Sequence, residues 1–86
     1  MLNNNINEIN EKVQLVVDFS PRKITPLLLL WRGQKIKIVK QNLCFQKQNG
    51  AKSYYYFFVS DQNDNCYKLC FDTDKLIWVL VEVTYE

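Results

Sequence analysis

The sequence predicts an all-β protein, a small antiparallel meander of five or six strands that curls toward a partly closed barrel. Three observations carry that expectation. Apolar residues recur with a period of two in several short runs, the signature of half-buried strands. Two further runs, LLLLW (27–31) and SYYYFFV (53–59), are apolar or aromatic on both faces and need cover on both sides. Polar turn clusters separate the runs at short intervals, as in a sheet of consecutive hairpins.

In VQLVVDF (13–19), Val13, Leu15, Val17 and Phe19 share one face, while Gln14 and Asp18 take the other. SPRKITP (20–26) holds both prolines without alternation and reads as a loop or bend, with Pro26 at the entry of the next strand. LLLLW then meets Arg32-Gly33-Gln34, a tight turn in which Gly33 can take a positive φ. KIKIVK (35–40) follows, with Lys35 and Lys37 opposite Ile36 and Ile38, so a hairpin closes at Gly33. NLCFQKQNGAK reads as a connection with a short strand at 43–45 and a turn at Asn49-Gly50. DQNDN (61–65) is a polar turn. CYKLCFD sets Tyr67, Leu69 and Phe71 against Cys66, Lys68 and Cys70, and DTDK is the next turn. LIWVLVEVTY closes the chain as a long strand. The domain therefore spans residues 13–86. Residues 1–12 are Asn-rich, and Leu2, Ile6, Ile9 and Val13 fall at helical spacing, so a short helix or an arm is expected there.

The 86 residues suffice for one domain with a thin stability margin. Net charge is +2 but unevenly spread. Between Ser20 and Ser60 lie eight basic residues and no acid, whereas the first 19 residues sum to −2 and residues 61–86 to −4. A basic block of this kind suits an anionic partner. The start, MLNNNINEINEK, has neither a basic nor an apolar leader region, and no apolar run approaches the roughly 20 residues of a spanning helix. With an odd count of three cysteines, these features lead us to expect a cytoplasmic protein in a reducing setting, away from membranes.

One pattern resembles a known family. Pro26, Trp31-Arg32-Gly33, Ile36, Val39, Tyr54-Tyr55, Tyr67, Leu69, Trp78, Leu80 and Val83 follow a P-x4-WRG … YY … Y-x-L … W-x-L-x2-V order. This is similar to a small bacterial domain of uncharacterised function that occurs alone or at the C-terminal end of Y-family-polymerase-like proteins linked to DNA damage. The similarity covers roughly residues 24–84. It departs at Phe45, where the family often carries Trp, and at the Lys-rich KIKIVK, which the family makes richer in Arg, the better bidentate phosphate ligand. It implies no catalytic residues, only a neighbourhood of nucleic-acid metabolism.

The chemistry argues against an enzyme. The chain contains no His, the commonest general base and metal ligand. Cys66-x3-Cys70 does not have zinc spacing, and Asp72 and Asp74 read as turn residues that cap nearby N–H groups. No phosphate-cradling glycine loop is present. No catalytic residue, metal, cofactor or small-molecule substrate is therefore expected. Two binding functions remain. A basic strand with neighbouring aromatics, Arg32, Lys35, Lys37, Lys40, Tyr54 and Tyr56, could track a nucleic-acid backbone and stack its bases. Alternatively, in the last strand Leu76, Trp78 and Leu80 fill one face. That leaves Ile77, Val79, Val81 and Val83 as an apolar row for a protein partner or a homodimer.

Overall fold

The computed structural model describes residues 5–86. Its seven strands are β1 (Ile6–Ser20), β2 (Lys23–Trp31), β3 (Gln34–Lys37), β4 (Lys40–Asn49), β5 (Lys52–Ser60), β6 (Cys66–Asp72) and β7 (Ile77–Thr84). They form one antiparallel sheet in the order β3-β2-β1-β7-β6-β5-β4. The sheet forms an open half-barrel. Its two ends, β3 and β4, would lie about 29 Å apart if it were flat. Only Ile38 and Val39 join them, a span of at most roughly 11 Å. The sheet must therefore curl. Val39 N–H donates to the Ser60 carbonyl (2.9 Å) and Ile38 N–H to the Leu27 carbonyl (3.0 Å), which draws the edges together at one end.

The strand count exceeds expectation by way of β4. NLCFQKQNGAK reads as a connection with only a short strand at 43–45 because it has no apolar period, whereas the strand runs over Lys40–Asn49 with all ten residues exposed. It is an edge strand that buries neither face. The helix or arm expected for residues 1–12 is, over Ile6–Lys12, the first half of β1; Leu2 lies outside the described residues. The Ile6–Ile9 spacing of three, helical on paper, instead puts the two residues on opposite faces of β1: Ile6 is exposed opposite Thr84 and Ile9 packs against the core, beside a bulge. Asn7 pairs with inward Val83 and Glu11 with inward Leu80, so two β1 residues, Ile9 and Asn10, oppose Val81, and Asn10 takes a φ of 53°. The loop expected over 20–26 shrinks to Pro21-Arg22, and Pro26 lies inside β2 opposite Val17. There β3 has already ended, so the missing N–H breaks no second ladder.

The concave face holds the core: Leu29, Trp31, Phe57, Val59, Tyr67, Leu69, Phe71, Trp78, Leu80 and Val83, with Val13, Leu15, Val17 and Ile36 packed against them. Trp78 lies between Phe71 and Phe57, with ring centroids 4.7 and 5.3 Å away.

The β2–β3 hairpin closes on Arg32-Gly33 with φ of 50° and 77°, the I′ pattern whose twist matches that of the strands. Space is open around Gly33, so only its backbone conformation resists a side chain. Gly33→Ala is expected to cost about 1–2 kcal/mol, read as a lowered urea midpoint with an unchanged slope.

Candidate nucleic-acid interface

The register places each sequence-predicted residue on a face. Lys35 pairs with Leu30 and Lys37 with Leu28, and these pair in turn with Gln14 and Val16 on the convex face. Tyr54 and Tyr56 are also convex, through Asp72 and Cys70 to Ile77 and Val79. The lysines and tyrosines nevertheless sit near opposite ends of the sheet order, with β2, β1, β7 and β6 between them. On a curled sheet they point in different directions, so the expected lysine–tyrosine surface does not form. Tyr56 instead stacks on Phe45 (5.2 Å, 16°), and the Lys68 ammonium lies 5.4 and 5.6 Å from the Tyr56 and Phe58 rings.

Arg32 is exposed but engaged. Its guanidinium pairs with Glu11 Oε2 at 2.5 Å and lies 4.7 Å from the Trp31 ring. The Trp31 indole N–H donates to Glu11 Oε1 at 3.0 Å. The Arg32 guanidinium and then the indole hold the Glu11 carboxyl below its ordinary range. Glu11 thus fixes the indole and neutralises the cation expected to meet phosphate. Lys40 opens β4 opposite Ser60, on a different strand from Lys35 and Lys37.

The lysines of β3 have other neighbours. A cleft of about 330 Å³ lies between β3 and the 61–65 turn at the end where the sheet edges converge. It is lined by Lys35 and Lys37, the aromatics Trp31, Tyr67 and Tyr85, and the amides of Gln34, Gln62, Asn63 and Asn65. The cleft wall is built around Asp61, a nearly buried carboxylate. Oδ1 accepts from the N–H groups of Asn63 (2.8 Å) and Asn65 (3.1 Å). Oδ2 accepts from Asn65 Nδ2 (3.2 Å) and the Tyr67 hydroxyl (2.7 Å). Burial alone would raise the Asp61 pKa, but these donors outweigh it and hold the group below its ordinary value. Tyr67 moves the other way, its pKa pushed up by burial and by the adjoining carboxylate. Both Asp61 oxygens are therefore committed to the turn and to Tyr67, and the exposed charges bordering the cleft are Lys35 and Lys37, which line it from the β3 edge while their side chains leave the strand on the convex side. Asn65 is braced again by the Glu86 N–H at 2.9 Å. Among the described residues the side chains of Gln34, Gln62 and Asn63 donate and accept no hydrogen bond within the protein.

The sequence pointed to Lys35 and Lys37 but missed Trp31, Asp61, Asn63, Asn65, Tyr67 and Tyr85 as their neighbours. A D-x-N-x-N run at the head of a turn is a legible signal for a carboxylate that organises backbone N–H groups. Tyr85 lies just beyond β7 and carries no local signal.

The apolar row expected on β7 is interrupted. Ile77 and Val79 are convex and half-buried. Val81 is the extra residue between the Leu69–Leu80 and Lys68–Glu82 pairs. That bulge turns Val83 inward, where it is fully buried. Leu76, expected to fill the core face, closes the β6–β7 turn with φ 58° and is 72% exposed. The three thiols are no better placed as nucleophiles. Burial pushes Cys44, Cys66 and Cys70 above the ordinary thiol range, so they are protonated at neutral pH.

No family model, curated protein or solved structure matches the chain.

Proposed function

We propose that this is a non-enzymatic module that binds single-stranded nucleic acid, an accessory to nucleic-acid metabolism, with the β3 cleft as its contact. The observation that carries the reading is the meeting of Lys35 and Lys37 with Trp31, Tyr85 and a set of side-chain amides around one concavity. Ammonium groups neutralise phosphates, an exposed ring stacks on a base, and an amide offers both donor and acceptor to a base edge. The cleft volume is at the low end for ligand sites, room for one nucleotide. A base must leave its stack to enter, which favours a single strand over a duplex. The WRG–YY–W-x-L resemblance to a domain of DNA-damage polymerase-like proteins points the same way.

Fluorescence anisotropy with labelled single-stranded DNA, duplex DNA and RNA at two salt concentrations tests it. Lys35→Ala/Lys37→Ala is expected to weaken single-strand binding at least about tenfold at low salt. It should also flatten the salt dependence by about 1.4 in log–log slope, two phosphates' worth. Tyr85→Ala is expected to weaken binding without changing that slope, and Lys47→Ala to leave it unchanged. Absence of binding at low salt would overturn the proposal.

A second reading rests on the convex face. There Leu43 and Phe45 are 53% and 40% exposed beside Tyr56, Phe58, Cys70 and Val79. Contiguous apolar surface of this kind suits a protein partner or self-association. Sedimentation velocity over a concentration series tests the latter: a monomer throughout removes the homodimer.

A further inference from the structure

The half-barrel is open on the side away from the β3–β4 link, and both margins of the opening are strand edges. One margin is β4, the terminal strand of the sheet order. In the β4–β5 hairpin Asn49 and Lys52 flank the two-residue turn Gly50-Ala51 and so form a hydrogen-bonded pair. Counting back, Cys44, Gln46 and Gln48 turn their backbone N–H and C=O groups away from β5, toward the opening. The other margin is the first half of β2. β3 covers only Leu28–Trp31, so Lys23–Pro26 has β1 as its sole strand neighbour among the described residues. Between the margins lies a slot of about 420 Å³, with Ile24, Tyr55 and Phe57 as its floor and Arg22, Lys23 and Cys44 on its walls. Arg22 and Lys23 on one margin and Lys40 and Lys47 on the other all fall in the stretch from Ser20 to Ser60, which contains no acid.

We infer that this slot takes an extended, acidic segment of a partner protein, which pairs with the free edge of β4 and fills the gap in the barrel. An added strand satisfies the outward backbone groups of β4, and its alternate side chains reach the apolar floor. Edges left free in this way template pairing with another chain. The charge decides the occupant. A second copy would set two lysine-bearing, acid-free edges side by side, whereas a segment with acids at alternate positions is complementary to both margins. This surface is separate from the β3 cleft and does not depend on the function proposed for it.

The test uses two fluorescein-labelled ten-residue peptides, one alternating Glu with Val and one alternating Lys with Val. The acidic peptide is expected to bind the full chain at least tenfold more tightly than the basic one. Gln46→Pro removes an N–H that faces the opening and leaves the β4–β5 ladder intact. It is expected to weaken acidic-peptide binding at least tenfold while the melting curve stays cooperative. Arg22→Ala/Lys23→Ala, on the opposite margin, is expected to weaken it several-fold. Equal binding of the two peptides, absence of binding, or a folded Gln46→Pro variant that binds as well as the wild type would overturn the inference. So would a wild-type dimer in sedimentation velocity that Gln46→Pro dissociates, since the occupant would then be a second copy.

Discussion

Phe57→Ala is expected to cost about 3–5 kcal/mol, the largest loss from any single substitution considered. Phe57 is 1% exposed and packs against the indole of Trp78, the centre of an aromatic row that continues to Phe71. It pairs with Cys44 on one side and Leu69 on the other, so it ties the edge strand to the central strands. Truncation leaves a cavity that a curled sheet cannot close without breaking ladder bonds. A domain of this size has on the order of 4–13 kcal/mol of total stability, so the variant loses a large share of it. Urea unfolding followed by tryptophan fluorescence reads the loss as a shifted midpoint.

Asp61→Ala comes next, at about 2–4 kcal/mol. The substitution orphans four donors at once, among them the hydroxyl of buried Tyr67 and two backbone N–H groups of the 61–65 turn. Asp61→Asn keeps the shape but presents an amide N–H₂ where Oδ2 accepts, so it recovers part of the loss. The pair also sets a pH dependence. Asp61 has a lowered folded pKa, so its contribution is present above the unfolded value near 4 and is lost as pH falls through the lower folded value. Tyr67 has a raised folded pKa, so its contribution is complete below the ordinary tyrosine value of about 10 and is lost as pH rises toward the folded one. Melting temperature against pH is expected to fall at both limits in the wild type. In Asp61→Asn the acid-side fall is expected to be shallower. Because Asp61 shapes one wall of the β3 cleft, Asp61→Asn is also expected to weaken single-strand binding.

The period-two runs made the inner strands legible, since a strand with one face in the core must alternate. Tyr67, Leu69 and Phe71 are buried as their spacing required, and Cys66, Lys68 and Cys70 face outward. What escaped reading falls into two physical classes. The first is the bulge. One extra residue at Val81 reverses the face of everything beyond it, so an alternating apolar row on paper becomes Val79 outside and Val83 inside. At Ile9-Asn10 the odd residues of β1 stay inward on both sides of the bulge, and the helical look of Ile6, Ile9 and Val13 arises because Ile6 lies on the opposite face. The second is the edge strand. β4 buries nothing, so no hydrophobic period marks it, and only its register with β5 reveals it.

The functional surfaces follow the same division. Lys35 and Lys37 were legible as a basic row because they alternate with Ile36 and Ile38. Their true neighbours come from the far end of the chain, 61–67 and Tyr85, and reach β3 only because the sheet curls. Tyr54 and Tyr56 lie within the basic block in sequence yet sit on another part of the curved surface. Sheet curvature, unlike strand period, is set by non-local pairing, here by the two-residue link from β3 to β4 and by the pairing of β1 with β7.

The most direct test of the proposed function is a ¹⁵N-NMR titration of the protein with a short single-stranded oligonucleotide at low salt. The shift changes are expected to concentrate on the backbone of Lys35 and Lys37, the 62–65 amides, Tyr85 and the Trp31 indole N–H. The Trp78 indole should stay still. Changes centred on Phe45, Tyr56 and Phe58, or none at saturating oligonucleotide, would contradict it.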